Sequence, residues 1–285
     1  MGVAPVQKSS MRNDNNTYPI IFIGMHRSGT SMLTSFLSSM GLNTGWSRGN
    51  DEAYFFHKQN LFIEKVCNCG WDNPKPILEL DDCPQKKKMV VGQLRSQLGW
   101  PNSALFFGHM GCIPANSINN IKGPWGWKDP RNTFTASIWQ ELFPQARFVH
   151  IYRNGVDVAA SLRERELSTP PKLDSVYSSP RVCKLRGGFN LWEEYIAQAF
   201  AIGQAVGGGG ILHIRYEDFL SNPHPILNSI VEFCGLEKNV ALLNEVASRA
   251  NPSRAFSFKR DPELMEFYSK VKGALWMKKL GYDSV

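Results

Sequence analysis

The stretch Gly24-Met25-His26-Arg27-Ser28-Gly29-Thr30-Ser31 decides the fold of this chain. Ahead of it, Tyr18–Gly24 is a short run of β-branched and aromatic residues ended by glycine, which predicts a buried strand. Behind it, Ser28 to Met40 puts Met32, Leu33, Phe36, Leu37 and Met40 on one face, which predicts a helix stopped by Gly41. Strand, glycine-rich turn and helix follow one another in the order that lets backbone N–H groups and a helix N-terminus wrap an anion. Gly24, Gly29 and Ser31 have the spacing of the phosphate-loop pattern G-x-x-x-x-G-K-[ST], but Thr30 stands where its lysine would be. The loop therefore keeps phosphate binding and loses the cation aimed at a β/γ-phosphate. Arg27 supplies a cation earlier in the loop, aimed differently.

Further along, the same alternation repeats. Pro124–Trp127, Arg147–Tyr152 and Ile211–Arg215 read as strands, and Ala53–Cys67, Gln85–Leu98, Gly155–Arg165 and Phe189–Val206 read as helices. Asp129-Pro130 reads as an N-cap and first-turn proline of a helix running to about Phe143. Residues 70–83 are a Pro- and Asp-rich loop, and 99–121 carry no clear pattern. Residues 167–182, with three prolines and several serines, read as a mobile loop or lid. Gly207–Gly210 is a four-glycine turn. Strands separated by helices predict an α/β domain with a central parallel sheet flanked by helices, spanning 18–285 behind a flexible tail, 1–17.

The composition bounds the function. The 285 residues are 42% hydrophobic and 12% aromatic, enough for a sizeable core, which excludes wholesale disorder. No apolar run is long enough to span a bilayer, and Asn and Asp follow Lys8 and Arg12 where a signal peptide needs an apolar stretch. A cytoplasmic location is expected. The six cysteines are scattered, without a CxxC pair or a His-x₃-His spacing, so reduced thiols and no metal are expected. The net charge of +7 points to anionic ligands and leaves nucleic acid, phosphates and acidic lipids open. The basic residues are spread through the chain and form no nucleic-acid motif, which disfavours DNA or RNA as partner.

The run Arg27–Ser31, R-S-G-T-S, resembles the 5′-phosphosulfate loop of the sulfotransferases that use 3′-phosphoadenosine 5′-phosphosulfate (PAPS). Arginine at its head resembles the protein-tyrosine and bacterial branches, whereas the cytosolic branch has lysine there and tryptophan in place of Met32. The resemblance implies a P-loop-like sulfotransferase fold, PAPS as co-substrate and its product PAP. It assigns Arg27, Ser28, Gly29, Thr30 and Ser31 to the phosphosulfate. A second motif, Phe148 to Ser161, resembles the family's 3′-phosphate element: Arg153 ends a strand and Ser161 follows eight residues later. Arg153 offers a forked cation beside a helix N-terminus, and Ser161 lies roughly 12 Å further along the helix axis, within reach of one nucleotide. In Tyr216-Glu217-Asp218, the resemblance assigns Tyr216 to the adenine. Lys259-Arg260 is a weak counterpart of a C-terminal Arg-Lys-Gly element. The resemblance covers about 18–220.

Sulfuryl transfer needs a cation on the leaving oxygen and a base for the acceptor proton. Lys128, in Trp127-Lys128-Asp129-Pro130, resembles the Lys-Asp-Pro lysine of the protein-tyrosine branch and inherits that cation role, assisted by Arg27. Bacterial relatives carry glutamate after an aromatic pair at the start of the second helix. Here the pair is Phe55-Phe56 and the next residue is His57, the candidate base, with Glu52 and Asp51 as alternatives. Asp129 reads as a cap rather than a catalyst, and His26 as a shaper of the loop. The expected acceptor is a hydroxyl or amine of a metabolite, natural product or glycolipid. The alternatives are a P-loop kinase or NTPase and a non-catalytic anion or nucleic-acid binder.

Overall fold

The computed structural model describes residues 18–49, 51–108, 117–170 and 178–285, so the tail 1–17 lies outside the described residues. Four strands form the sheet: β1 (Ile20–Ile23), β2 (Gly126–Lys128), β3 (Arg147–Tyr152) and β4 (Ile211–Arg215). Their order is β2-β1-β3-β4, and every pairing is parallel. The register sets Phe22 beside Lys128 on one side and Val149 on the other. The strands thus end together, and the loops leaving β1, β2 and β3 open on one edge.

Parallel strands are covered on both faces, which is why β1 reads as an uninterrupted apolar run. Ile21 and Ile23 point into one core and Ile20 and Phe22 into the other. On the second face lie α1 (Thr30–Ser39) and, from the C-terminal part, α8 (Tyr216–Ser221), α9 (Pro223–Cys234) and α10 (Val240–Ser248). The first face carries α2 (Tyr54–Val66), α3 (Pro84–Gln97), α4 (Ala104–Phe107), α5 (Asn132–Leu142), α6 (Gly155–Ser168) and α7 (Leu185–Val206). Closing helices α11 (Pro262–Val271) and α12 (Leu275–Lys279) pack on this face too. The Phe56 ring stacks on Trp127 at 3.7 Å, which fixes α2 against β2.

Several expected boundaries move. α5 begins at Asn132 instead of Pro130, because Asp129 and Pro130 form a tight turn in which the Asp129 carbonyl accepts the Asn132 N–H at 2.9 Å. The Asp129 side chain caps that turn by accepting the Arg131 N–H at 2.9 Å. α7 begins four residues early, through Gly187 and Gly188, which sequence reasoning treats as breakers. They serve close packing: a Cβ on Gly188 would lie 3.2 Å from the Ala159 Cα of α6. α6 in turn runs on to Ser168. The expected lid holds a 3-10 turn at Pro180–Cys183, and its residues 171–177 lie outside the described residues. The unpatterned stretch holds α4 and a 3-10 turn at Ile118–Asn120, with 109–116 also outside the described residues. Among the described residues no helix is long and apolar enough to cross a membrane.

Candidate active site

The loop after β1 is shaped by two glycines that tolerate nothing larger. Gly24 has φ +132°, and a Cβ there would sit 2.5 Å from the Ile151 carbonyl oxygen of β3. Gly29 has φ +98°, and its Cβ would sit 2.6 Å from the Tyr216 ring. Between them Arg27 adopts φ +69°, a left-handed conformation that an arginine takes only when its surroundings hold it there. The Gly24 N–H is tied to Thr133 Oγ1 of α5 at 2.9 Å, and the Ser28 N–H to the Met25 carbonyl at 3.2 Å. Ser28 is fully buried and its hydroxyl has no hydrogen-bond partner. α1 then starts with no acidic residue in its first turn, so its N-terminal dipole is left to attract an anion. Thr30 is buried and Ser31 half-buried on that first turn. Met32 packs against the apolar core on this face.

The two sequence motifs meet here. Arg27 Nε donates to Ser161 Oγ on α6 at 2.8 Å, across 134 residues of sequence. At the start of the same helix Asn154 caps the first turn, its Oδ1 accepting the Val156 N–H at 2.9 Å. Arg153, just before this cap, lies over the face of Tyr216 at 4.9 Å. Tyr216 is buried between Arg153 and Gly29 and so borders both motifs. Arg153 is also held by protein groups: its Nη2 donates to the Arg254 carbonyl at 3.0 Å and to Ser257 Oγ at 3.3 Å, and lies 3.2 Å from Asp157 Oδ2. Asp157 in turn accepts the Ser257 and Phe258 N–H groups. The C-terminal segment with Lys259 and Arg260 is thereby docked beside Arg153, although both basic side chains are exposed.

On the other side of the loop, at the end of β2, Lys128 is only 2% exposed. Its Nζ donates to Glu52 Oε1 at 3.3 Å. The other oxygen of Glu52 lies 3.3 Å from His57 Nδ1, and Asp129 Oδ2 lies 3.2 Å from the same nitrogen. Asp129 Oδ1 faces Arg131 Nη1 at 3.3 Å, and Arg131 Nε reaches Glu64 Oε2 at 2.9 Å. Two helical turns order the histidine. Asn60, three residues on, donates to Asn132 Oδ1 at 2.9 Å and accepts from Thr135 Oγ1 and Trp139 Nε1 at 3.0 Å each. α2 is therefore pinned to α5 next to His57.

Charge is distributed unevenly in this cluster. Burial, and then the Asp129 carboxylate, push the Glu52 carboxyl above its ordinary range. Burial opposes the charge on Asp129 too, but Arg131 and His57 overcome it and hold the carboxyl well below the usual range. Burial raises Glu64 to about 7 against the pull of Arg131. Burial, with Arg131 next, keeps the His26 imidazole neutral. Ligand atoms of Glu52, His57 and Asp129 all lie within 4.8 Å of one another, a spacing that suits a metal ion. Lys128 and Arg131 already share these carboxylates, so a divalent ion would enter against two cations.

The structure thus brings together Arg27, Ser28, Gly29, Ser161, Arg153 and Tyr216 around the loop, and joins His57 to Lys128 through Glu52. Asp51 is exposed and left-handed, at φ +55°. Asp129 is more than the expected cap, since its second oxygen faces His57. Sequence reasoning missed Glu217, which accepts the Asn154 N–H at 2.9 Å and the Tyr282 hydroxyl at 2.7 Å, and so fixes the turn behind Arg153. Its place beside Tyr216 was a signal; Tyr282 had none.

Solved structures similar to this chain are distant in sequence. Sulfotransferase STF1 from Mycobacterium tuberculosis H37Rv is 14% identical over 84% of this chain and 73% of its own, with a TM-score of 0.46. The sulfotransferase domain from the curacin biosynthetic pathway is 14% identical over 90% and 98%, with a TM-score of 0.45. Mouse sulfotransferase SULT7A1, solved with PAP, is 14% identical over 87% and 68%, with a TM-score of 0.35. No curated protein sequence matches the chain. Residues 19–239, from the first strand past the Tyr216-Glu217-Asp218 motif, match the model of the Sulfotransferase family, and the chain belongs to that family.

Proposed function

We propose that this sulfotransferase takes its sulfuryl group from PAPS and passes it in line to a hydroxyl or amine of a small-molecule acceptor, releasing PAP. The observation that supports the reading is the Arg27–Ser161 hydrogen bond, which joins the Arg27–Ser31 loop to the helix that follows Arg153. An unpartnered buried hydroxyl at Ser28 and an unpartnered Nε on Arg153 support a nucleotide with an anion at each end. A kinase or NTPase needs a loop lysine, and Thr30 is buried in its place.

Each residue then has a task. The loop N–H groups, Ser28 and Ser31 hold the phosphosulfate, while Arg153 and Ser161 hold the 3′-phosphate and Tyr216 borders the adenine. Lys128 and Arg27 neutralise the charge that grows on the leaving oxygen. Lys128 reaches it by leaving Glu52, its partner in this structure. His57 Nδ1 lies against Asp129 Oδ2 and Glu52 Oε2, and in the tautomer that donates to them from Nδ1 the ring takes the acceptor proton on Nε2. The reaction belongs in a reducing cytoplasm, consistent with the free thiols of Cys67, Cys69, Cys83, Cys183 and Cys234. The test is calorimetry with PAP. Wild-type protein binds it and Arg153→Ala abolishes binding; unchanged affinity refutes the 3′-phosphate assignment. ATP with magnesium is not turned over, and rapid ATP hydrolysis would reinstate the NTPase reading.

A further inference from the structure

Two buried polar groups that the reaction leaves unused converge on Trp71, whose own indole N–H is a third. The indole itself is 1% exposed, and its Nε1 has no hydrogen-bond partner. Arg165 lies over its face at 4.8 Å, and the buried Nη2 of that arginine is likewise unpartnered. His26 meets the indole edge-on at 4.9 Å, with a buried, unpartnered Nε2. Arg165 forms no ion pair with a carboxylate among the described residues, whereas Arg131, Arg153, Arg163, Arg181 and Arg215 each do. Burial works against its charge, and so do Arg27 and Arg131, with Glu166 only partly compensating. A guanidinium held this way lacks an acceptor, and so does the indole N–H beside it.

We infer that Arg165, Trp71 and His26 form a binding pocket for an oxyanion, a carboxylate or phosphate, carried by the sulfate acceptor. The pocket is built and not accidental, since the Trp71 carbonyl is anchored by the Tyr195 hydroxyl at 2.8 Å and the next residue, Asp72, by Ser179 Oγ at 2.6 Å. Its placement favours the acceptor over the nucleotide. Arg27 and Arg153 already stand at the two anion motifs. Arg165 lies a further helical turn beyond Ser161 and faces the segment that follows α2, the helix bearing His57. Arg165 is half-buried and Trp71 and His26 are buried, so the guanidinium and the indole N–H are the donors the site offers. A neutral acceptor would leave those donors unmade, so the enzyme selects acidic acceptors. The inference rests on the sulfuryl-transfer reading for the identity of the ligand, and not for the existence of the pocket.

The experiment is ¹⁹F NMR titration of trifluoroacetate and of monofluorophosphate into PAP-saturated protein, with PAP affinity measured on every variant. Wild type is expected to bind at least one probe saturably, and the probe that binds tells carboxylate from phosphate. Arg165→Gln weakens that binding about tenfold or more and leaves PAP affinity unchanged, as expected for loss of a charge-assisted bond. Trp71→Phe, which keeps the ring and removes one donor, weakens it about threefold. Three results overturn the inference: no saturable binding of either probe, binding that survives Arg165→Gln but vanishes in Lys128→Met, or weakened PAP binding in Arg165→Gln. Failure of wild type to bind PAP at all would instead defeat the PAPS reading.

Discussion

Replacing Lys128 by methionine separates catalysis from binding. The side chain keeps an unbranched stem of similar length and loses only the ammonium. Lys128 is 2% exposed and its Nζ donates to Glu52 Oε1 at 3.3 Å, so no bulk water takes the place of the lost cation. Two effects follow. Removing one preorganised cation from the leaving oxygen costs about 10²–10³ in turnover, or about 2.7–4 kcal/mol of barrier. Stranding a buried carboxylate costs up to about 3–5 kcal/mol of stability, less whatever Glu52 recovers by taking a proton. Burial already holds the Glu52 carboxyl above its ordinary range, and losing Lys128 drives it higher. A raised folded-state pKa contributes stability that is present at low pH and lost as pH rises. The variant is therefore nearest to wild type in stability under mildly acidic conditions and falls behind as pH increases. The assay is release of PAP from PAPS, with water as acceptor where no better one is supplied, alongside PAP calorimetry and melting curves. A rate within threefold of wild type, with PAP affinity intact, would remove Lys128 from the mechanism.

Other perturbations probe the remaining parts of the site. His57→Asn should lower turnover by about 10²–10⁴ while sparing PAP affinity; if Glu52→Gln abolishes turnover and His57→Asn does not, the base is Glu52. Gly29→Ala forces a Cβ to 2.6 Å from the Tyr216 ring at φ +98°, and melting curves should show a loss of about 2–3 kcal/mol together with weaker PAP binding. Unchanged melting and affinity would mean that the loop is not held as described. Glu64 stands at about 7 against an ordinary 4.5, so its neutral form contributes about 3 kcal/mol of stability that is present below about pH 4.5 and lost as pH rises through about 7. The stability difference between wild type and Glu64→Gln should shrink or reverse across that window, and a pH-independent difference would contradict the assignment.

The loop after β1 and the Arg153 motif were legible because their signals are local. A glycine at a forced φ, a strand ending in a loop and an arginine before a helix cap are written within eight or so consecutive residues, and backbone sterics alone make them specific. The alternation of strands and helices carried the parallel sheet in the same way, since a crossover helix between parallel strands leaves a regular trace in the chain. Boundaries shifted where packing overrode propensity, as at Gly188, whose missing Cβ is needed by a neighbouring helix and not by its own turn.

The cluster at the end of β2 was set by contacts that no window of sequence contains. His57 meets Asp129 across 72 residues and Glu52 meets Lys128 across 76, and neither pair exists until α2 has packed on β2 and α5. Whether a histidine is a structural ring or a base, and whether an aspartate is a cap or an orienting group, depends on which oxygen faces which nitrogen in a dry interior. The same holds for Arg165: its sequence neighbours mark it as a surface cation, and only the fold, by laying it on a buried indole with no ion-paired carboxylate among the described residues, makes it a candidate for binding the acceptor. Sequence alone determined the sheet, the glycine loop after β1 and the family. Tertiary structure decided the electrostatic partners, because desolvation, which makes a charge costly or useful, is a property of the packed interior and not of the chain.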